Sequence, residues 1–119
     1  MAATQSPEEV FNHHAQALGA EDLEEIVADY SDDVVFIAPA GVLRGKDGIR
    51  QAFTKLLGEI PQATWDLKTT TSIYEGDILL LEWDAEGGGN RIQDAVDTFV
   101  FRDGLIRVQT VRYTLRPAR

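Results

Sequence analysis

The sequence predicts an α+β fold, and three observations carry that expectation. Helix signals dominate the first half of the chain. After Pro61 the pattern becomes purely β. Two turn signals, Glu86-Gly87-Gly88-Gly89-Asn90 and Asp103-Gly104, then divide the second half into an antiparallel meander. A length of 119 residues, 44% of them hydrophobic, suits a single domain over 1–119 that buries a core of its own.

The first element starts at Ser6-Pro7-Glu8-Glu9, with Ser6 as N-cap, Pro7 at the first helical position and Glu9 completing a capping box. Val10, Phe11, His14, Ala17 and Leu18 then fall on one helical face, and Gly19 ends the helix. Glu21 to Tyr30 forms a second helix whose early acids suit its positive N-terminus. Ser31-Asp32-Asp33 reads as a turn into the apolar strand Val34 to Ala38, and Pro39 to Gly45 as a turn with a short paired strand. Lys46 to Gly58 forms a third helix with Ile49, Phe53, Leu56 and Leu57 as its buried stripe. Trp65 to Tyr74 alternates, placing Trp65, Leu67, Thr69, Thr71 and Ile73 on one face. Strands Ile78 to Ala85, Arg91 to Arg102 and Leu105 to Leu115 follow.

Composition excludes several classes of function. Twenty Asp and Glu against eleven Lys and Arg give a net charge of −9, the wrong sign for a nucleic-acid partner. The imbalance lies entirely in residues 1–43, which hold nine carboxylates and no Lys or Arg. That segment reads as a solvated acidic helix surface, or as an acidic docking face. No apolar run approaches the roughly 18 residues a membrane helix needs, and residues 1–9 lack the basic and apolar regions of a secretory signal. A cytoplasmic protein with no membrane partner is the expectation. The absence of cysteine removes disulfides, thiolate zinc sites and a cysteine nucleophile.

Several motifs carry no chemistry. Gly87-Gly88-Gly89 lacks the Gly-Lys-Ser/Thr of a phosphate loop and joins two strands. His13 and His14 point about 100° apart on a helix and cannot share a metal ion. Ser6, Ser31 and Ser72 lack a nucleophile-elbow context. No metal and no organic cofactor is implied. Polar groups on apolar faces are more informative. His14 shares the inward stripe of the first helix while His13 points to water, and an inward histidine is either a core residue or a proton-transfer group. Asp97 sits inside Ala95-Val96-Asp97-Thr98-Phe99-Val100-Phe101, apolar on both faces. A buried Asp needs a partner or a purpose, so Asp97 either forms a salt bridge to Arg107 or Arg112 or serves a site.

The run Glu21 to Val27, Tyr30-Ser31-Asp32-Asp33-Val34, Pro39 to Gly45 and Ile49 to Phe53, together with Asp97 to Ile106 and Tyr113, resembles the NTF2-like superfamily. The SnoaL-like polyketide cyclases and the ketosteroid isomerases are its most similar branches. The resemblance implies a cone of three N-terminal helices packed in a strongly bent antiparallel sheet, open at one end as an apolar pocket. It also implies a homodimer joined through the outer sheet face, where Val96, Thr98 and Val100 stand beside Ile106, Val108 and Thr110. Ketosteroid isomerases keep an Asp base at the end of the first strand, where this chain has Ala38 before Pro39. Their first-helix Tyr corresponds to His14, their protonated Asp to Asp97, a supporting Tyr to Tyr30 and a last-strand aromatic to Tyr113. Limonene-epoxide hydrolases need an Arg on a pocket strand, whereas Leu79 to Ala85 offers Glu82 and Asp84 but no Arg.

The implied function is an enzyme of the cyclase/isomerase type acting on a hydrophobic, ring-containing molecule, with Asp97, His14 and Tyr30 as the catalytic set. Its walls would be Phe11, Phe36, Ala38, Phe53, Trp65, Trp83, Phe99 and Tyr113. The alternative is a non-catalytic small-molecule binder or accessory domain using the same cavity. If Asp97 and His14 touch, they titrate as a pair, with Asp97 ionised and His14 protonated. If they stand apart, Asp97 stays protonated as a donor and neutral His14 acts as base.

Overall fold

The computed structural model describes residues 5–60 and 66–117. The elements run α1 (Pro7–Gly19), α2 (Leu23–Ala28), β1 (Tyr30–Ala38), β2 (Gly41–Arg44), α3 (Gly45–Glu59), β3 (Asp66–Glu75), β4 (Ile78–Gly87), β5 (Asn90–Arg102) and β6 (Leu105–Pro117). The strands form one curved, open sheet in the order β2-β1-β6-β5-β4-β3. Neighbours are antiparallel except β1 and β6, which pair in parallel. The first strand lies outside the meander and joins the edge of the last one, so no hairpin dictates its direction. No helix among the described residues is long and apolar enough to cross a membrane.

The helices form where their caps and stripes require. Ser6 accepts from the Glu9 amide while the Glu9 carboxylate accepts from the Ser6 amide, a complete capping box over Pro7. Val10, His14 and Ala17 are buried along α1, with Phe11 and Leu18 half-buried beside them. Asp22 caps α2 through the Glu25 amide. This helix ends at Ala28, two residues short of the expected Tyr30, because Tyr30 already pairs with Ile106 as the first residue of β1. Ser31-Asp32-Asp33 therefore lies within β1, at an irregularity in its pairing with β6, rather than in a turn. Helix α3 packs closely on β2: a Cβ added at Gly48 would lie 3.0 Å from the Leu43 Cβ.

Bulges decide which side chains face inward. A register shift between Thr69 and Thr71 on β3 changes the parity of the strand. Thr69 pairs with the buried Trp83, but Ile73 pairs with Leu80 on the outer face and is 57% exposed, against the single face expected for both. On β5 a second shift accompanies Asp94, whose φ is +56° and whose amide donates to Asp84. A third, between Val100 and Phe101, brings Ile106 inward to full burial, while Val108 and Thr110 stay outside. The outer face thus loses Ile106 from its expected set. Around the expected Thr110 and Thr98 it gains Val42, Ile37, Leu80 and Ile73, so that a row Val42, Ile37, Thr110, Thr98, Leu80 and Ile73 crosses all six strands, each paired with the next.

Candidate functional site

Between α1, α3 and the inner face of the sheet lies a cavity of about 240 Å³. Helix α1 contributes Phe11, His14, Ala15, Leu18 and Gly19, a single stripe at helical spacing. Phe53 and Leu56 of α3 face it, and Leu81, Trp83, Phe99, Val111 and Tyr113 of the sheet complete an apolar wall. Asp97, Gln109 and Thr69 are the polar sheet residues on the same surface.

Asp97 is 4% exposed and both its oxygens are engaged. Trp83 Nε1–H donates to Oδ1 at 2.7 Å, and Gln109 Nε2–H donates to Oδ2 at 2.8 Å. The Tyr30 hydroxyl in turn donates to Gln109 Oε1, which turns the amide so that its NH₂ faces the carboxylate. Tyr30, Gln109 and Asp97 thus form a fully buried chain across β1, β6 and β5. The expected arginine partners are elsewhere: Arg107 pairs with Asp33 at 3.2 Å, and Arg112 is exposed opposite Val96. Burial pushes the Asp97 carboxyl up to about 6, against the two N–H donors that favour its ionised form.

His14 is boxed by aromatic rings, with Phe53 at 5.5 Å, Tyr30 at 5.8 Å, and Phe11 and Phe99 at 5.9 Å between centroids. Its Nδ1 has no hydrogen-bond partner among the described residues. Burial, reinforced by the charge of neighbouring His13, lowers its pKa to about 4. His13 does more than point to water. Its Nδ1–H donates to the Asp29 carboxylate at 2.7 Å and its Nε2–H to Glu25 at 3.0 Å. The Asp29 bond is the main cause of its raised pKa. His14 and Asp97 line one cavity without a hydrogen bond between them, and neither perturbs the other's pKa.

Of the residues expected at the site, Phe11, His14, Phe53, Trp83, Asp97, Phe99 and Tyr113 line the cavity. Tyr30 stands behind the lining, its hydroxyl on Gln109 and its ring against His14. Phe36 packs behind Phe53 at 6.4 Å, in the core, and Ala38 pairs with Gly41 near the sheet edge. Neither lines the cavity, and Trp65 lies outside the described residues. Sequence reasoning missed Gln109, a glutamine on a polar stretch of strand that no motif marks. It also missed Glu59, whose carboxylate accepts from the Tyr113 hydroxyl at 2.7 Å and pairs with Lys55 at 2.5 Å. Among the described residues no three metal-ligating side chains cluster.

Comparison with known proteins accounts for this architecture. Among curated proteins none matches the sequence. Solved structures match closely in shape. A candidate ketosteroid isomerase from Kribbella flavida DSM 17836 has a TM-score of 0.73 at 19% identity, covering 91% of this chain and 77% of its own. A candidate polyketide cyclase from Sinorhizobium meliloti has a TM-score of 0.73 at 16% identity, with 87% and 93% covered. An LEH-like epoxide hydrolase from M. tuberculosis has a TM-score of 0.70 at 20% identity, with 91% and 82% covered. At such identities the likeness speaks for the fold alone. The profile of the SnoaL-like domain matches residues 11–109, and the chain therefore belongs to the SnoaL-like family of the NTF2-like superfamily.

Proposed function

We propose that the protein is a small-molecule enzyme of the cyclase/isomerase type, moving protons on a hydrophobic, ring-containing substrate held in the cavity. The observation that carries this reading is Asp97: a buried carboxylate on an apolar wall, oriented by Trp83 and Gln109, with no cationic partner among the described residues. A proton affinity near neutral pH suits a general acid/base. Above pH 6 ionised Asp97 takes a proton from substrate and then returns it at another position. The two donors hold the carboxylate, so the transferred proton sits on a remaining lone pair. His14 is too weak a base for that task and acts as a neutral hydrogen-bonding group. This assigns the base to Asp97 rather than His14. Tyr30 is a positioning residue acting through Gln109, while Phe11, Phe53, Phe99, Trp83 and Tyr113 exclude water. Proton exchange tests the proposal: cyclic ketones incubated in D₂O should gain deuterium at their α-carbons with wild-type protein and not with Asp97→Asn. Equal exchange by both proteins would remove Asp97 from the chemistry.

Isomerisation of Δ5-3-ketosteroids is expected to be negligible, because Ala38 cannot accept a proton and does not line the cavity. General base catalysis supplies about 10²–10⁴-fold, so robust wild-type conversion, read from conjugated-enone absorbance, would overturn this expectation and give the steroid's proton transfer to Asp97. Ala38→Asp restores turnover only if a steroid enters and the new carboxylate reaches it.

We further propose a homodimer through the outer sheet face. Ile37 and Val42 at one side of the sheet and Ile73, Ile78 and Leu80 at the other are 37% to 57% exposed there, joined across β6 and β5 by Thr110 and Thr98, and such a face needs cover. Light scattering at micromolar concentration should give a dimer mass, and Leu80→Glu should shift it to monomer. A wild-type monomer would overturn the assignment.

A further inference from the structure

We propose that the cavity binds hydrophobic ammonium ions, with the protonated amine donating to Asp97 and its apolar body lying against the surrounding rings. The inference rests on the cavity being the ligand site. It concerns the charge of what enters, which the proposed acid/base role leaves open.

Asp97 is the one charged side chain among the described lining residues, and no Lys or Arg shares the surface. Its neutral donors orient it without cancelling its charge, so a buried anion faces an apolar space. Taking a carboxylate out of water is costly unless a counter-charge joins it. A ligand cation supplies that charge. The walls suit the same ion. Trp83 and Tyr113 rings stand 6.3 Å apart, Phe11 and Phe99 5.5 Å apart, and aromatic faces attract cations most strongly where water is excluded. They suit an anion or an oxyanion poorly, because the main donors are committed. Trp83 and Gln109 give their N–H groups to Asp97, and Tyr113 gives its hydroxyl to Glu59. The net charge of −9 draws cations towards the protein at longer range.

Ion pairing and proton exchange are alternative uses of one carboxylate. A bound ammonium holds Asp97 ionised, so amines of this class compete with any substrate on which Asp97 acts. Among the described residues the titratable groups that share the cavity or its polar chain with Asp97 are His14 from α1, Tyr30 from β1 and Tyr113 from β6, with Glu59 of α3 behind Tyr113. His14, Tyr30 and Tyr113 are all neutral between pH 5 and 8, so among the lining groups the pH dependence of binding follows Asp97.

Benzylamine, benzyl alcohol and benzoate form a matched set that tests the proposal, titrated by calorimetry and by the Trp83 indole N–H resonance. At pH 8 benzylamine should bind wild-type protein at least about tenfold more tightly than benzyl alcohol, with benzoate weakest. In Asp97→Asn that preference should vanish while alcohol binding persists. At pH 5 benzylamine should weaken about tenfold, as Asp97 takes up its own proton. Equal binding of amine and alcohol by wild type, or an amine preference that survives Asp97→Asn, overturns the ammonium proposal and leaves the cavity as a site for neutral ligands. Failure of all three to move the Trp83 resonance overturns both readings.

Discussion

Asp97→Asn is expected to reduce turnover by about 10²–10⁴-fold while leaving the protein as stable as before, or more so, at pH 8. The amide nearly conserves the shape of the side chain, and the buried chain of hydrogen bonds can reverse. Reversal leaves the Tyr30 hydroxyl hydrogen and one hydrogen of the new amide without an acceptor, a cost of about 1–3 kcal/mol that loss of the buried charge offsets. Trp83 Nε1–H still donates to an oxygen, the new Nδ2–H donates to Gln109 Oε1, and Gln109 Nε2–H donates to the Tyr30 hydroxyl oxygen. The variant also removes a charge that folding must bury. Unfolded Asp ionises near 3.8, whereas burial holds the Asp97 proton up to about 6. Between these values the folded state carries more proton than the unfolded one, so rising pH costs stability, on the order of 3 kcal/mol by pH 7. Asn avoids that cost. A purely structural Asp97 gives the opposite pattern: lower stability, with function changed only through unfolding. Thermal melts at pH 4 and pH 8, run beside deuterium exchange into substrate, separate the two. A variant that melts early yet exchanges normally would end the catalytic assignment.

The elements that follow local rules were legible in the sequence. Ser6 to Glu9 is a capping box at both levels, and the α1 stripe that includes Phe11, His14 and Leu18 lines the cavity as its spacing requires. The burial of Asp97 was legible from its apolar neighbours, but its inward direction only from the family resemblance, because its strand is apolar on both faces. What was not legible depends on departures from strict alternation. No residue between Thr69 and Thr71 announces the shift that turns Ile73 outward, and Asp94 takes a left-handed conformation that a glycine would have signalled. The shift after Val100 likewise separates Ile106 from Val108. Gln109 was missed for a different reason. Its role comes from Tyr30, 79 positions earlier, and Asp97, 12 positions earlier, meeting across strands whose register only the folded sheet defines.

His14→Phe should tilt the pH profile of stability in the direction opposite to Asp97→Asn. Unfolded histidine titrates near 6.5, but its aromatic box and the neighbouring His13 charge lower folded His14 to about 4. Between pH 4 and 6.5 the unfolded state therefore binds more proton, and stability rises with pH, again on the order of 3 kcal/mol over the interval. Asp97 contributes a fall over nearly the same range, so the two contributions largely cancel in the wild type. Removing the histidine leaves the falling contribution of Asp97 exposed. Removing the aspartate leaves the rising contribution of His14. Phe costs about 1–3 kcal/mol if the box is tight, but that cost shifts the whole curve and leaves its slope unchanged. Urea unfolding from pH 4 to 7 should show stability falling with pH in His14→Phe and rising in Asp97→Asn, relative to wild type. Parallel curves for all three proteins would mean that neither group is desolvated as the fold requires. The inversion behind these slopes bears on function. In water an aspartate ionises at lower pH than a histidinium, and the two form an ion pair between their pKa values. In this cavity the order is reversed, so from pH 4 to 6 both groups are neutral and above 6 only Asp97 is charged. Among the described lining residues no zwitterion forms, and their one charge at neutral pH is a carboxylate free to take a proton or a cation from whatever enters.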